Sequence, residues 1–342
     1  MKKIRLIVIL ASLFIVNSVK SQDISKLFEE VDKSVVIINV LQSKSTGTGV
    51  VDEKASFGSL GTGVLINETG QILTAAHVVN DADLIEVVFK DGQKLRAKTE
   101  GLSRMADVAI IKTQGVINNP YPAKLGNSDN TKIGDKVMII GNPMGLNHSL
   151  SVGYISRREK QPNASENFSS MEFFQTDAAI NTGNSGGPMF NMNGEVIGII
   201  SSILSRSGGF EGIGFVATIN IVKELLIDKS NTWLGIDVFL LEGSLAKAFN
   251  VYEDAGILVQ NVTKGSPAYY MGMKGGSINI KINKQTVTIG GDIILAIDNI
   301  KLNNRENILN GIKYLNALPK GAKYSITVLR AGEKIKLNWI IK

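Results

Sequence analysis

Apolar positions along this chain come mostly in short bursts. Residues 34–41, 61–66, 85–89, 108–112, 136–140 and 196–203 are runs rich in Val and Ile, separated by Gly, Asn and Asp. Runs of this length between turn residues predict strands of a barrel or sandwich. A short amphipathic segment, 24–31, precedes them. The pattern changes near 222–232, where a helical stretch over 222–226 gives way to the polar Asp228-Lys229-Ser230-Asn231, the composition of an interdomain linker. From Trp233 onward strands mix with two helix signals. Ser266-Pro267-Ala268 can cap and start a helix running through 268–273, with a stop at Gly275-Gly276. A second helix begins near Asn304, presents Ile308, Ile312 and Leu315 on one face and ends before Pro319. Residues 277–289 alternate as a hairpin would.

Length and composition narrow this picture. The 342 residues, 44% of them hydrophobic and 20% charged, are enough for two domains with separate cores and argue against disorder. Thirty-five glycines against seven prolines suit the many tight turns of a β-rich chain and disfavour a helical bundle. With no cysteine there is no disulfide, no thiolate metal site and no thiol nucleophile, so any chemistry uses oxygen or nitrogen.

The formal charge of +6 would raise nucleic acid as a partner, but its distribution decides otherwise. Lys2, Lys3, Arg5 and Lys20 lie in the first 21 residues, which hold no acid, and the remainder carries 33 bases against 31 acids. No later run of five or six bases exists, so a nucleic-acid partner is not expected. The basic start, the apolar run 6–16 and Val19-Lys20-Ser21 read as a secretory signal peptide over 1–21 cleaved before Gln22. An uncleaved anchor is the alternative, although this apolar run falls short of the ~20 residues a membrane helix needs. The expected domains are then 22–230 and 231–342, in an exported, periplasmic protein.

The strongest local signal is Gly183-Asn184-Ser185-Gly186-Gly187-Pro188. Its glycines allow a sharp turn whose amides at Gly183, Asn184 and Ser185 can hold an oxyanion beside the Ser185 hydroxyl. A bare Gly-x-Ser-x-Gly also fits the nucleophile elbow of α/β-hydrolases, but there the histidine follows the serine, whereas His77 and His148 both precede Ser185. His77 closes Thr74-Ala75-Ala76-His77 after an apolar strand and can exchange a proton with Ser185. Asp107 opens the apolar run Val108-Ala109-Ile110-Ile111 and can fix the His77 tautomer. The order His77, Asp107, Ser185 is that of chymotrypsin-like enzymes. Asp81, Asp83 and Asp91 lie in a polar turn region and read as solvated. Asp177 reads as holding loop geometry, and His148, in a glycine-rich loop, as a structural or surface residue.

Residues 73–79, Asp107-Val108-Ala109-Ile110-Ile111, Gln175-Thr176-Asp177-Ala178-Ala179-Ile180-Asn181 leading into 183–188, and Gly212-Ile213-Gly214-Phe215 together resemble the HtrA/Deg serine proteases. The resemblance implies a chymotrypsin-like double β-barrel followed by a small α+β PDZ domain. It covers most of the chain after residue 21. Ala75, Thr182 and Met189 depart mildly from the family pattern, and none removes a catalytic group. The alignment it implies puts Ala179 and Ile180 at the base of the primary pocket and Ser201 and Ser202 on its wall, with no acid to pair a substrate Lys or Arg. Small or medium aliphatic side chains should fit. Leu234-Gly235-Ile236 would form the turn that captures a peptide's C-terminal carboxylate.

The implied function is an ATP-independent endopeptidase of the cell envelope that degrades unfolded or damaged polypeptides, as a homotrimer or a multiple of trimers, without cofactor or metal. Loops over 142–153, 156–172 and 201–212 would switch between inactive and active forms. Two alternatives remain: a chaperone or peptide-binding scaffold with a latent protease fold, and a hydrolase of peptidoglycan or lipid esters.

Overall fold

The computed structural model describes residues 23–45, 54–80, 82–104, 106–146, 148–161, 171–203, 211–228, 233–282 and 285–341. The expected leader, the linker core at 229–232 and parts of the three expected switching loops lie outside the described residues. After helix α1 (Ile24–Val31), six strands form a closed barrel: β1 (Val35–Ser45), β2 (Lys54–Leu65), β3 (Gln71–Thr74), β4 (Leu84–Val88), β5 (Lys94–Ser103) and β6 (Val108–Gln114), in the order β1-β2-β3-β6-β5-β4. A single turn of helix, α2 (Ala76–Val79), follows β3.

The second barrel contains β8 (Lys136–Gly141), β9 (Ser149–Gln161), β10 (Met171–Thr176), β11 (Pro188–Asn191), β12 (Glu195–Ile203) and β13 (Gly214–Thr218), in the order β11-β8-β9-β10-β13-β12. A β11–β12 pairing closes it, and the short β7 (Lys124–Leu125) runs parallel to β12 outside the ring. Helix α3 (Ile219–Val222) continues into a wider turn over Lys223–Ile227, so the helical stretch starts three residues earlier than the sequence suggests.

The apolar runs are continuous rather than alternating because both faces of many strands are buried. Val36, Ile38, Leu65, Ile72 and Ile111 fill the first barrel, and Val137, Ile139, Phe174 and Val216 fill the second. Their chain neighbours Val35, Val64, Leu73, Ile110, Met138 and Ile140 point the other way, into a third core between the barrels. That seam is where side chains from both barrels can meet.

The C-terminal unit is a sheet ordered β14-β15-β18-β20-β21, from β14 (Ile236–Glu242), β15 (Ala255–Val262), β18 (Ile293–Ile297), β20 (Lys323–Arg330) and β21 (Glu333–Ile340), with β19 (Ile300–Lys301) paired to β18. Helix α4 (Gly243–Ala248) packs on one face of this sheet. Helix α5 (Pro267–Tyr270) has the expected Ser266 cap, yet ends three residues sooner than predicted. Gly272 takes φ +77°, which stops the helix and turns Met273 into the core. Helix α6 (Arg305–Ala317) agrees with its sequence signal: Asn304 caps Asn307 at 2.8 Å, and Ile308 and Leu315 are buried. Residues 277–289 form the expected hairpin, β16 (Ile278–Ile282) and β17 (Gln285–Ile289), and Val287 with Ile280 covers the sheet face that α6 leaves open. Among the described residues no helix is long and apolar enough to cross a membrane.

Candidate active site

The site begins with a helix that cannot cap itself. Ala75 occupies the N-cap of α2 and offers no side-chain acceptor. Asp107 supplies the missing acceptors from the loop before β6. Its carbonyl accepts the Ala76 N–H at 3.2 Å and its Oδ1 accepts the His77 N–H at 3.0 Å. The same carboxylate lies 2.8 Å from His77 Nδ1, so Nδ1 carries the proton it donates and Nε2 is left as an acceptor. Asp107 takes φ +52°, an uncommon conformation for a non-glycine residue, which lets its backbone and side chain serve one helix end together. Burial pushes the Asp107 carboxyl up, but the hydrogen bond and charge of His77, the Ser201 hydroxyl and the His77 N–H outweigh it and hold the group below the ordinary carboxylate range.

Ser201 reaches this acid from the second barrel, donating from Oγ to Asp107 Oδ2 at 2.7 Å. It can do so because the β12–β13 register shifts between Ile200 and Ser202, which leaves Ser201 as the unpaired residue of a bulge with its side chain re-aimed. Ser201, expected on the pocket wall, has its side chain engaged with Asp107. The side chain of Ser202 lies outside the described residues.

The Ser185 turn is pressed against the first barrel. A Cβ on Gly186 would fall 2.1 Å from Thr74 Oγ1 and 2.6 Å from Ala75 N, so only glycine permits this approach two residues from His77. Thr62 in β2 holds the turn on both sides, donating its N–H to Ser185 O at 2.9 Å and its hydroxyl to Gly183 O at 2.6 Å. Neither the Gly183 nor the Ser185 amide donates to another group among the described residues. Asn184 is a correction to the expected oxyanion set. Its N–H is committed to Asn181 O at 3.0 Å, and its side chain packs on Gly141, where any Cβ would meet Asn184 Oδ1 at 2.5 Å.

Ala179 is exposed, whereas Ile180 is 2% exposed inside the second barrel's core and contributes bulk behind Gly214 rather than open surface. Asp177 accepts the Tyr154 N–H at 2.6 Å, the loop-holding part read from the sequence. Asp91 accepts the Gln93 N–H, but Asp83 is not simply solvated: it pairs with Lys264 of the C-terminal unit. In that unit Gly235 takes φ +74°, and a Cβ there would strike Ser266 at 2.1 Å. The Leu234 and Gly235 carbonyls accept from Ala268 and Thr263, which fixes the turn ahead of Ile236 at the start of the edge strand β14. Thr62, Asn142 and Asp32 carry no sequence signal of their own; only the tertiary fold brings Thr62 to the Ser185 turn, Asn142 to Thr62 and Asp32 to His148.

A seam of two six-stranded barrels with a His–Asp pair on one side and a glycine-framed serine on the other defines a chymotrypsin-like peptidase fold. Residues 61–199 match the trypsin-like peptidase domain family. A protein of Pseudomonas savastanoi pv. phaseolicola (strain 1448A / Race 6), described as a probable periplasmic serine endoprotease DegP-like, is 36% identical over 302 residues, 86% of this chain and 58% of the relative. A protein of the same description from Halomonas elongata (strain ATCC 33173 / DSM 2581 / NBRC 15536 / NCIMB 2198 / 1H9) is 38% identical over 67% of this chain and 48% of its own length. The chain thus spans roughly half the length of the curated relatives it matches. The solved structure of the HtrA-type protease AlgW with tripeptide is 30% identical, with a TM-score of 0.51, covering 92% of this chain and 95% of that one. AlgW with decapeptide gives 29% identity and a TM-score of 0.50. The chain belongs to the HtrA-type serine protease family.

Proposed function

We infer that the protein is a serine endopeptidase acting on polypeptides, exported to the periplasm, with residues 22–230 as its protease domain and 231–342 as a PDZ domain. Ser185 attacks the scissile carbonyl, His77 takes its proton through Nε2 and returns it to the leaving amine, and Asp107 orients the imidazole and stabilises its charged form. The Gly183 and Ser185 amides hold the oxyanion. The observation that carries this reading is the 2.8 Å His77–Asp107 bond in one barrel facing a nucleophile turn that Thr62 anchors from the same barrel. In the C-terminal unit, the Leu234-Gly235-Ile236 turn beside the unpaired edge of β14 suits capture of a peptide C-terminus by strand addition. The curated relatives' description as periplasmic supports export, and the apolar leader agrees with it. Unfolded polypeptides as substrates and a homotrimeric assembly are parts of the same reading, taken from the family resemblance.

The test is degradation of casein by wild type and by Ser185→Ala. Wild type should release peptides and the variant should fall to background. Equal activity in the two would sink the assignment and favour a scaffold or a different nucleophile.

A further inference from the structure

On the inner side of the Ser185 turn, a file of directional hydrogen bonds crosses the seam and ends at an ion pair that the chemistry above does not use. Thr62 Oγ1 donates to Gly183 O at 2.6 Å. A hydroxyl has one proton, and this one is directed at Gly183 because Asn142 fills the acceptor side, from its backbone N and its Nδ2, both at 3.1 Å. The Asn142 amide is oriented in turn, since its Oδ1 accepts the His148 N–H at 2.9 Å. His148 presents that N–H from φ +57°, a conformation a non-glycine residue holds only when its surroundings require it. What requires it is its ring: Nδ1 sits 2.6 Å from Asp32 Oδ1. Asp32, just before β1, is 1% exposed, and its other oxygen accepts from Lys90 Nζ at 2.5 Å. Asp32 is the charged group that the His148 ring meets, and Lys90 meets Asp32 in turn. Thr62 and Asn142 are fully buried, so water cannot replace a broken link in the file.

The peptide that carries the Ser185 N–H lies between the two peptides Thr62 holds, those of Gly183 O and Ser185 O. Whatever fixes Thr62 therefore fixes where that amide points. We propose that Asp32 and His148 are positioning residues for the oxyanion site, setting the orientation of the Ser185 turn through Asn142 and Thr62. This rests on the serine-peptidase reading. It gives His148 a part in catalysis without contact with substrate: the pair holds the strained backbone whose N–H starts the file. Burial pushes the Asp32 carboxyl up, but the hydrogen bonds and charges of His148 and Lys90 prevail and keep it ionised, as the pair requires.

The test is a double-mutant cycle on cleavage of a chromogenic peptide, with rates expressed per site titrated by a serine-directed phosphonate. His148→Ala should lower kcat about tenfold or more, as a small misplacement of catalytic donors does, with KM within about twofold. His148→Asn, whose amide nitrogen stands where Nδ1 stood, should regain most of the loss. Thr62→Val should give the same kcat-only signature, and the double variant should be no slower than the worse single one. Inhibition by a peptide boronate should weaken in parallel with kcat. The proposal is overturned if His148→Ala keeps kcat within twofold of wild type, if a folded His148→Asn is no better than Ala, or if the two losses multiply. Those outcomes leave Ser185→Ala inactive, so they are distinct from failure of the peptidase reading, in which Ser185→Ala would retain hydrolysis.

Discussion

At Asp107 four donors meet one short side chain and its carbonyl: the His77 ring, the His77 and Ala76 amides and the Ser201 hydroxyl. Each constrains a different degree of freedom, which is why a residue in a strained backbone conformation can hold an imidazole in place. Asp107→Asn keeps the shape but offers an N–H where the ring needs an acceptor, so the wrong tautomer is favoured. We expect kcat to fall by about 10³ to 10⁴, read by steady-state cleavage at neutral pH, with the melting temperature little changed. Ser201→Ala should cost much less, about tenfold, since it removes one of several restraints. The sequence named Asp107 from its place ahead of an apolar run. It did not foresee the Ser201 bond to Asp107, because a bulge moves a side chain off the alternation that a strand pattern assumes.

Among the elements, the β9–β10 pair shows how polar groups are buried at the rim of a barrel. Glu172 is buried, held by Arg158 through two bonds of 2.9 and 2.7 Å, with Lys160 nearby at 3.4 Å. Burial pushes its carboxyl up, yet the Arg158 hydrogen bonds and charge, with Lys160, hold it below its ordinary value. A carboxyl whose folded value is depressed contributes stability that is present above its unfolded value, about 4.3, and is lost as the pH falls through the lower folded value. Glu172→Gln should therefore lower stability by roughly 1 to 3 kcal/mol near pH 7 and flatten the fall of melting temperature as the pH drops below the ordinary carboxylate range. A variant with an unchanged acid slope would contradict this. The turn after β10 gives a sharper case. Gly186→Ala would place a methyl group against Thr74 Oγ1, Thr62 O and Ala75 N at φ +82°, so the turn must leave the first barrel. Peptidase activity should vanish even where circular dichroism reports retained strands. Composition announced many tight turns, but which glycine sits against which backbone was beyond it, since that contact joins residues over a hundred positions apart.

In the whole molecule, cores and chain segments coincide. Every residue of the three barrel cores precedes Asp228, and every residue of the two C-terminal cores follows Trp233. The contacts between the parts include Arg104 to Asp237 at 2.8 Å and the Lys264 to Asp83 pair. Partly exposed pairs of this kind contribute about 0 to 1 kcal/mol each, too little to couple two cores. Calorimetry should resolve two unfolding transitions, and Asp237→Asn should shift neither by more than about 2 °C. A single transition that moves as one in the variant would show the units to be one cooperative body. Arg104 also bonds Asn80, three residues beyond His77, so the edge strand of the C-terminal unit stands two side chains from the proposed catalytic pair.

Local sequence determined what local physics can: Val- and Ile-rich runs long enough to be strands, an Asn304 that caps a helix, glycines that allow a nucleophile turn, and an order of His, Asp and Ser that leaves few folds to choose from. An apolar run buried on both faces reads the same whichever barrel it builds, so the third core between the barrels was hidden in the pattern. Only the closure of two barrels on a common seam decided that Thr62 would grip Gly183, that Ser201 would reach Asp107, and that His148 would meet Asp32. Those contacts depend on directional bonds between residues far apart in the chain, and hydrogen bonds of that kind leave no periodicity to read.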